Sequence, residues 1–218
     1  MTDQGLYGRL RAAILSLDLT PSQRLSERGL EPEFGASRTP IRAALMRLES
    51  EGLVERDGRN WIVAPLNLDE VRALYEYREI LESAATRLAM VRAPGADLEA
   101  LVELAGSVDG GETPEHSLDA GTSFHLELAR LSGNPFLIDA MKSVLTRLYR
   151  TRWLEVQSAD SRDRVNREHS LVANALVAGD SAGAELAMLE HLRGTGSRLA
   201  ESISVDRQRL RANGIALD

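Results

Sequence analysis

Apolar residues recur at helical spacing along most of the chain. Leu6, Leu10, Ala13, Ile14 and Leu17 form one stripe and predict a helix over residues 4–17. Thr20-Pro21-Ser22 breaks it. Ser26 is placed to cap a short helix over 27–33. Phe34-Gly35-Ala36 makes a turn, and Ser37 caps a further helix over 38–50 whose Ile41, Ala44, Leu45 and Leu48 face inward. Gly52 ends that helix. The period then changes. Two short β-type runs, Leu53 to Arg56 and Trp61 to Ala64, flank Asp57-Gly58, a hairpin turn signal.

Pro65 to Asn67 reads as a linker, and the helical period resumes after it. One long pattern covers 68–92 and stops at Pro94-Gly95. Further helices are expected at 96–107, 115–132, 135–156, 163–178 and 181–201, and the charged stretch beyond Asp206 is expected to fray. The fold class is therefore mainly α. Residues 1–66 have the element order of a winged helix-turn-helix, three helices plus a β-hairpin wing. Residues 67–218 form an all-α helical bundle.

Composition narrows the setting. The chain has no cysteine, which excludes disulfides and thiolate metal sites and suits a reducing cytoplasm. Met1 to Arg11 is polar, without the apolar core of a signal peptide, and no apolar run reaches a membrane span. The net charge of −7 at first argues against nucleic acid. Residues 1–66 nevertheless carry equal numbers of acidic and basic side chains, so the whole excess of negative charge lies in the remainder. A neutral domain still binds DNA when its arginines cluster on one face.

They do cluster. Arg38 and Arg42 lie four apart on the third helix, on the face opposite Ile41, Leu45 and Leu48. Arginine suits both phosphate clamping and bidentate contact with guanine. Ser37 and Thr39 stand at the N-terminus of that helix, where hydroxyl and N–H groups hold a phosphate. Gly58 and Arg59 lie at the wing tip, where glycine lets backbone approach DNA and arginine reaches a groove.

In the bundle, the polar residues at inward positions carry the information. Arg78 and Glu82 are four apart among Leu74, Leu81, Ala85 and Leu88, which makes them either an exposed helix salt bridge or a costly buried pair. Three histidines, His125, His169 and His191, fall on three different predicted helices. They are either packed singly or converge as imidazole ligands for Zn²⁺ or a similar divalent ion.

The run Gln23 to Arg28, then Gly35-Ala36-Ser37-Arg38-Thr39-Pro40-Ile41-Arg42, then Leu45 to Val54, resembles the DNA-binding domain of the GntR family of regulators. The resemblance implies that Arg28, Arg38, Arg42 and Gly58 contact operator DNA. Ser22, Glu31 and Asn60 depart from the family's usual Gly, Ala and Gly. Residues 78–89, 123–134 and 167–184 resemble the FCD domain of the FadR-like branch. That implies a homodimer and a small organic acid effector, held by a metal and by arginines such as Arg78, Arg150 or Arg152, with Glu82 beside them. In metal-binding members an Asp four residues before the first His joins three His. Here the three His positions are matched, but the Asp position is Gly121. Asp119, two residues earlier, points elsewhere on an ideal helix.

Two alternatives stand beside an effector-controlled regulator. One is a constitutive DNA-binding dimer without metal or effector. The other is a three-His metallohydrolase, for which Glu168 is a poor general base because it neighbours His169 in sequence and points about 100° away.

Overall fold

The protein is described here by a computed structural model over residues 3–58, 60–106 and 113–205. Two compact units divide between Leu68 and Asp69, and Ser202 ends the second.

The first unit runs α1 (Asp3–Leu15), β1 (Arg24–Leu25), α2 (Glu27–Phe34), α3 (Arg38–Ser50), β2 (Val54–Asp57) and β3 (Asn60–Val63). Leu6, Leu10, Ile14, Ile41, Leu45, Leu48, Leu53, Trp61 and Val63 are its buried core. Ser26 caps α2 as expected, its Oγ accepting from the Gly29 N–H at 2.9 Å. Ser37 occupies the N-cap position of α3 without a side-chain capping bond.

Three details differ from expectation. The first helix stops at Leu15, because Leu17 takes a left-handed φ of 65° ahead of Thr20-Pro21. A two-residue strand, β1, joins the hairpin, giving an antiparallel sheet of order β1-β3-β2. The wing turn is also shifted: Asp57 pairs with Asn60, and it is Gly58, at φ 61°, that takes the left-handed conformation. The preceding turn places Ser22 at φ 64°. That conformation sends the Ser22 N–H to the Val63 carbonyl at 2.9 Å and fixes β1 along β3.

The second unit is a helical bundle of α4 (Leu68–Arg92), α5 (Gly95–Ala105), α6 (Pro114–Leu131), α7 (Pro135–Glu155), α8 (Ala159–Val177) and α9 (Ser181–Val205). Prolines at the first helical positions of α6 and α7 follow Thr113 and Asn134, whose side chains accept from His116 N–H and Phe136 N–H. Helix α8 begins four residues earlier than the periodicity implies, because Ser158 caps it through the Ser161 N–H. Ala85, Ala89, Leu101, Phe124, Leu128, Val172, Leu176, Met188 and Leu192 form the core. Among the described residues no helix is long and apolar enough to cross a membrane.

Candidate functional site

In the first unit the exposed face of α3 presents Arg38, Thr39 and Arg42, with Ser37 at its start and Arg28 exposed on α2. Arg42 is held by two parallel bonds to Glu27, Nε to Oε1 at 2.7 Å and Nη2 to Oε2 at 2.8 Å. The bond from Arg42 holds the Glu27 carboxyl below its usual range, and the charges of Arg38 and Arg56 add to this. Glu27 went unnoticed in the sequence, since the contact joins two helices. Arg47, farther along α3, lies over the Tyr7 ring at 3.7 Å and pairs with Glu51, so it ties α3 into its own unit. A Cβ at Gly58 would meet nothing within 4 Å, so backbone conformation rather than crowding calls for glycine there. Arg59 lies outside the described residues.

In the second unit α6, α8 and α9 bring His125, His169 and His191 together. All three are buried, and one nitrogen from each lies within 4.8 Å of the others. The Nε2 atoms of His169 and His191 are 3.3 Å apart. Two nitrogens about 2.0–2.1 Å from a tetrahedral ion are separated by about that distance. Carboxylates hold the far sides of two rings: Glu82 Oε2 lies 2.6 Å from His125 Nδ1, and Glu168 Oε2 lies 2.7 Å from His191 Nδ1. Such a bond orients the His191 imidazole with its Nε2 lone pair inward, whereas His125 Nε2 lies 3.0 Å from Arg78 Nη2 and is free to ligate only when that guanidinium releases it. Phe124 stacks on His169 with centroids 4.3 Å apart. Burial keeps His125 and His169 well below the usual histidine range; the charges of Arg152 and His191 act on both in the same direction, and that of Arg78 adds to the effect on His125. The facing Nε2 atoms of His169 and His191 are nitrogen donors of the kind that hold a divalent ion, and His125 can join them once Arg78 releases its Nε2.

Glu168 thus has a role that its place in sequence concealed: it reaches across from α8 to His191 on α9. Burial works to raise its carboxyl, but bonds from His191 and Arg198 hold it below its usual range. Arg198 also bonds Glu155, and both line a pocket with Leu154, Ser161 and Leu199.

The arginines expected around the site are distributed unequally. Arg78 and Glu82 are fully buried and form the costly pair, Nε to Oε1 at 2.8 Å. Arg78 Nη2 also lies 3.0 Å from His125 Nε2, while its Nη1 is buried without a partner among the described residues. Both carboxylate oxygens of Glu82 are therefore engaged, by Arg78 and by His125. The Tyr75 hydroxyl is likewise buried without a partner. Arg152 is buried and donates to the Thr122 hydroxyl at 2.9 Å. Burial, and then the charge of Arg78, push its guanidinium down to about 10. Arg150 is also buried, but it lies about 200° away round α7. It is Arg152 that stands against Gly121, where a Cβ would be 3.1 Å from Arg152 Nη2 and 3.4 Å from His169 Cε1. Asp119 is exposed and accepts from the Tyr149 hydroxyl, away from the histidines.

Comparison with known proteins agrees with both halves. Residues 2–62 match the bacterial regulatory proteins of the gntR family, and residues 73–194 match the FCD domain. The HTH-type transcriptional regulator LutR of Bacillus subtilis is 35% identical over 202 residues, covering 80% of this chain and 90% of its own. The Nta operon transcriptional regulator of Aminobacter aminovorans is 31% identical over 171 residues, covering 75% of this chain and 78% of its own. The solved structure of Escherichia coli McbR/YncC shares the fold with a TM-score of 0.72 at 21% identity, covering 93% of this chain and 99% of that one. These families and relatives are regulators and not enzymes, which removes the metallohydrolase reading. With a helix-turn-helix and wing before a bundle that gathers three histidines, and with both halves matched, the chain belongs to the GntR family of transcriptional regulators and carries an FCD domain.

Proposed function

We propose that this regulator binds operator DNA as a homodimer, and that a small organic acid in its second unit controls that binding. Arg28, Ser37, Arg38, Thr39, Arg42, Gly58 and Arg59 form the operator-reading set. His125, His169 and His191 hold a divalent ion, with Zn²⁺ the first candidate, since the ligands are nitrogens and no cysteine is present. When bound, the ion supplies a positive point charge that polarises an oxygen of the acid. Arg78 and Arg152 receive the rest of the acid, and Glu82 holds Arg78 and His125 in place.

One observation supports this reading above the others. Arg152 is a buried cation that, among the described residues, bonds the Thr122 hydroxyl and no carboxylate directly, with Glu155 and Glu82 acting on it only through space. An uncompensated buried charge is costly, and an anionic ligand relieves it.

The test combines thermal melting with operator binding. Organic acids and Zn²⁺ are added singly and together, with a chelator as control, to full-length protein shown to be dimeric by light scattering. Acid is expected to raise the melting temperature and to change operator affinity. If neither acid nor metal alters either quantity, the protein is a constitutive DNA-binding dimer and the proposal fails.

A further inference from the structure

Arg78 is fully buried, and its Nη2 lies 3.0 Å from His125 Nε2. A guanidinium has donors and no acceptor, so His125 Nε2 accepts this bond and the ring hydrogen sits on Nδ1. That hydrogen goes to Glu82 Oε2 at 2.6 Å. Nε2 is therefore the nitrogen of His125 with a lone pair to offer, and a cation already stands on it.

The guanidinium does not depend on that nitrogen. Glu82 Oε1 accepts from Arg78 Nε at 2.8 Å and lies 2.7 Å from Nη2. Arg78 can give up His125 and stay paired with Glu82, at the loss of one bond to a neutral ring. Other donors around it wait for an acceptor. Arg78 Nη1 is buried with no partner among the described residues, and so is the Tyr75 hydroxyl. The Tyr75 ring centroid is 5.3 Å from the Arg78 guanidinium carbon, and Arg152 and Arg78 act on one another through space. Buried polar groups without partners are rare in folded proteins. A single acid group beside Arg78 supplies an acceptor.

We infer that Arg78 and the divalent ion alternate on His125 Nε2, and that an acid group which takes up the Arg78 guanidinium thereby favours the ion. An ion on His169 and His191 gains its third nitrogen only as Arg78 leaves. Glu82, bonded to both Arg78 and His125, keeps the two partners within reach of one another. This rests on the reading that the three histidines hold an ion. It adds the residue that competes with the ion, and a coupling to acid that does not require the acid to touch the metal.

The test reads Zn²⁺ affinity of the full-length protein by competition with a chelator. Removing a residue that merely supports a ligating histidine weakens the metal by about 10–100-fold. Removing a competitor has the opposite sign. Arg78→Gln is expected to tighten Zn²⁺ by about tenfold, the worth of one charge-assisted bond. Arg152→Gln removes a charge that acts on His125 and His169 through space, with no bond to either among the described residues, and its gain should be smaller. At matched ionic strength acetate, propionate or L-lactate should tighten Zn²⁺ in the wild type and do so less in Arg78→Gln. Weaker or unchanged Zn²⁺ binding in Arg78→Gln overturns the inference, as does an equal gain in Arg152→Gln. Wild-type Zn²⁺ affinity that ignores all three acids overturns the coupling. Should Arg78→Gln fail to fold, a crystal structure of the Zn²⁺-loaded wild type decides. Arg78 Nη2 is expected to have left a metal-bound His125, and an intact Arg78–His125 bond beside bound Zn²⁺ overturns the exchange. Absence of Zn²⁺ binding overturns the inference and the metal half of the proposed function together.

Discussion

The guanidinium of Arg152 lies against the bare Cα of Gly121, with Nη2 3.1 Å from the point where a Cβ would sit. Placing an acidic residue at 121 therefore has a different outcome from the one expected of a simple added ligand. In Gly121→Asp the new carboxylate meets Arg152 before it meets any ion. Zn²⁺ affinity in the single variant should stay within about threefold of wild type, and in Gly121→Asp with Arg152→Gln it should rise by about tenfold or more as a fourth protein ligand becomes available. Competition titration against a chelator reads both. A tenfold gain in the single variant alone would show that Arg152 gives way freely.

Glu168 holds His191 from behind and is itself held by Arg198. Outer partners of metal-bound histidines typically change affinity by about 10–100-fold. Glu168→Gln should weaken Zn²⁺ binding within that range while leaving metal-free operator binding at its wild-type value. Calorimetry and a gel-shift assay check the two halves. Unchanged Zn²⁺ affinity would reduce Glu168 to a packing role.

On the DNA side, Arg42 and Arg47 share α3 but not a function. Arg42→Ala should weaken specific operator binding by about 1–3 kcal/mol if it reads a base. Arg47→Ala removes a cation–π contact with Tyr7 and an ion pair with Glu51. It should lower the melting temperature and leave operator affinity nearly unchanged. Equal losses of operator affinity at fixed salt would remove the distinction.

Ser22 holds a left-handed φ of 64° at the turn that sets β1 against β3. Side-chain-bearing residues pay about 1–2 kcal/mol for that conformation, and part of the gain from glycine is returned as unfolded-chain entropy. Ser22→Gly should stabilise the first unit by about 0.5–1 kcal/mol. Denaturant melting of the full chain reads it as a shift in the first unit's transition. A lower midpoint would mean that the Ser22 hydroxyl makes a compensating contact.

Long periodic elements were legible in the sequence, and contacts between elements were not. Helix α4 has the bounds that its apolar pattern and flanking prolines imply, Leu68 to Arg92. Strand β1 has two residues, too few to show a period, and exists only because β3 pairs with it. The three histidines were legible as candidates because each falls on its own helix. Their convergence, the support of His191 by Glu168, and the clamp of Glu27 on Arg42 all cross between helices, where spacing along one helix says nothing. Gly121 was legible as a missing carboxylate. That Arg152, from the next helix, stands in its place was not, since nothing local to either residue records the other.

Helix α4 contains neither glycine nor proline across its 25 residues. Kinks in long helices arise almost always at such residues or at bulges, so this one behaves as a stiff rod about 37 Å long. Arg78 and Glu82 are fixed to its middle and, through His125, to the histidine cluster. Its first residue follows the last wing strand by only a few positions along the chain. A ligand that rotates or shifts Arg78 cannot be absorbed by a hinge within the helix. A shift imposed on Arg78 would therefore move α4 as one body rather than bend it at its middle.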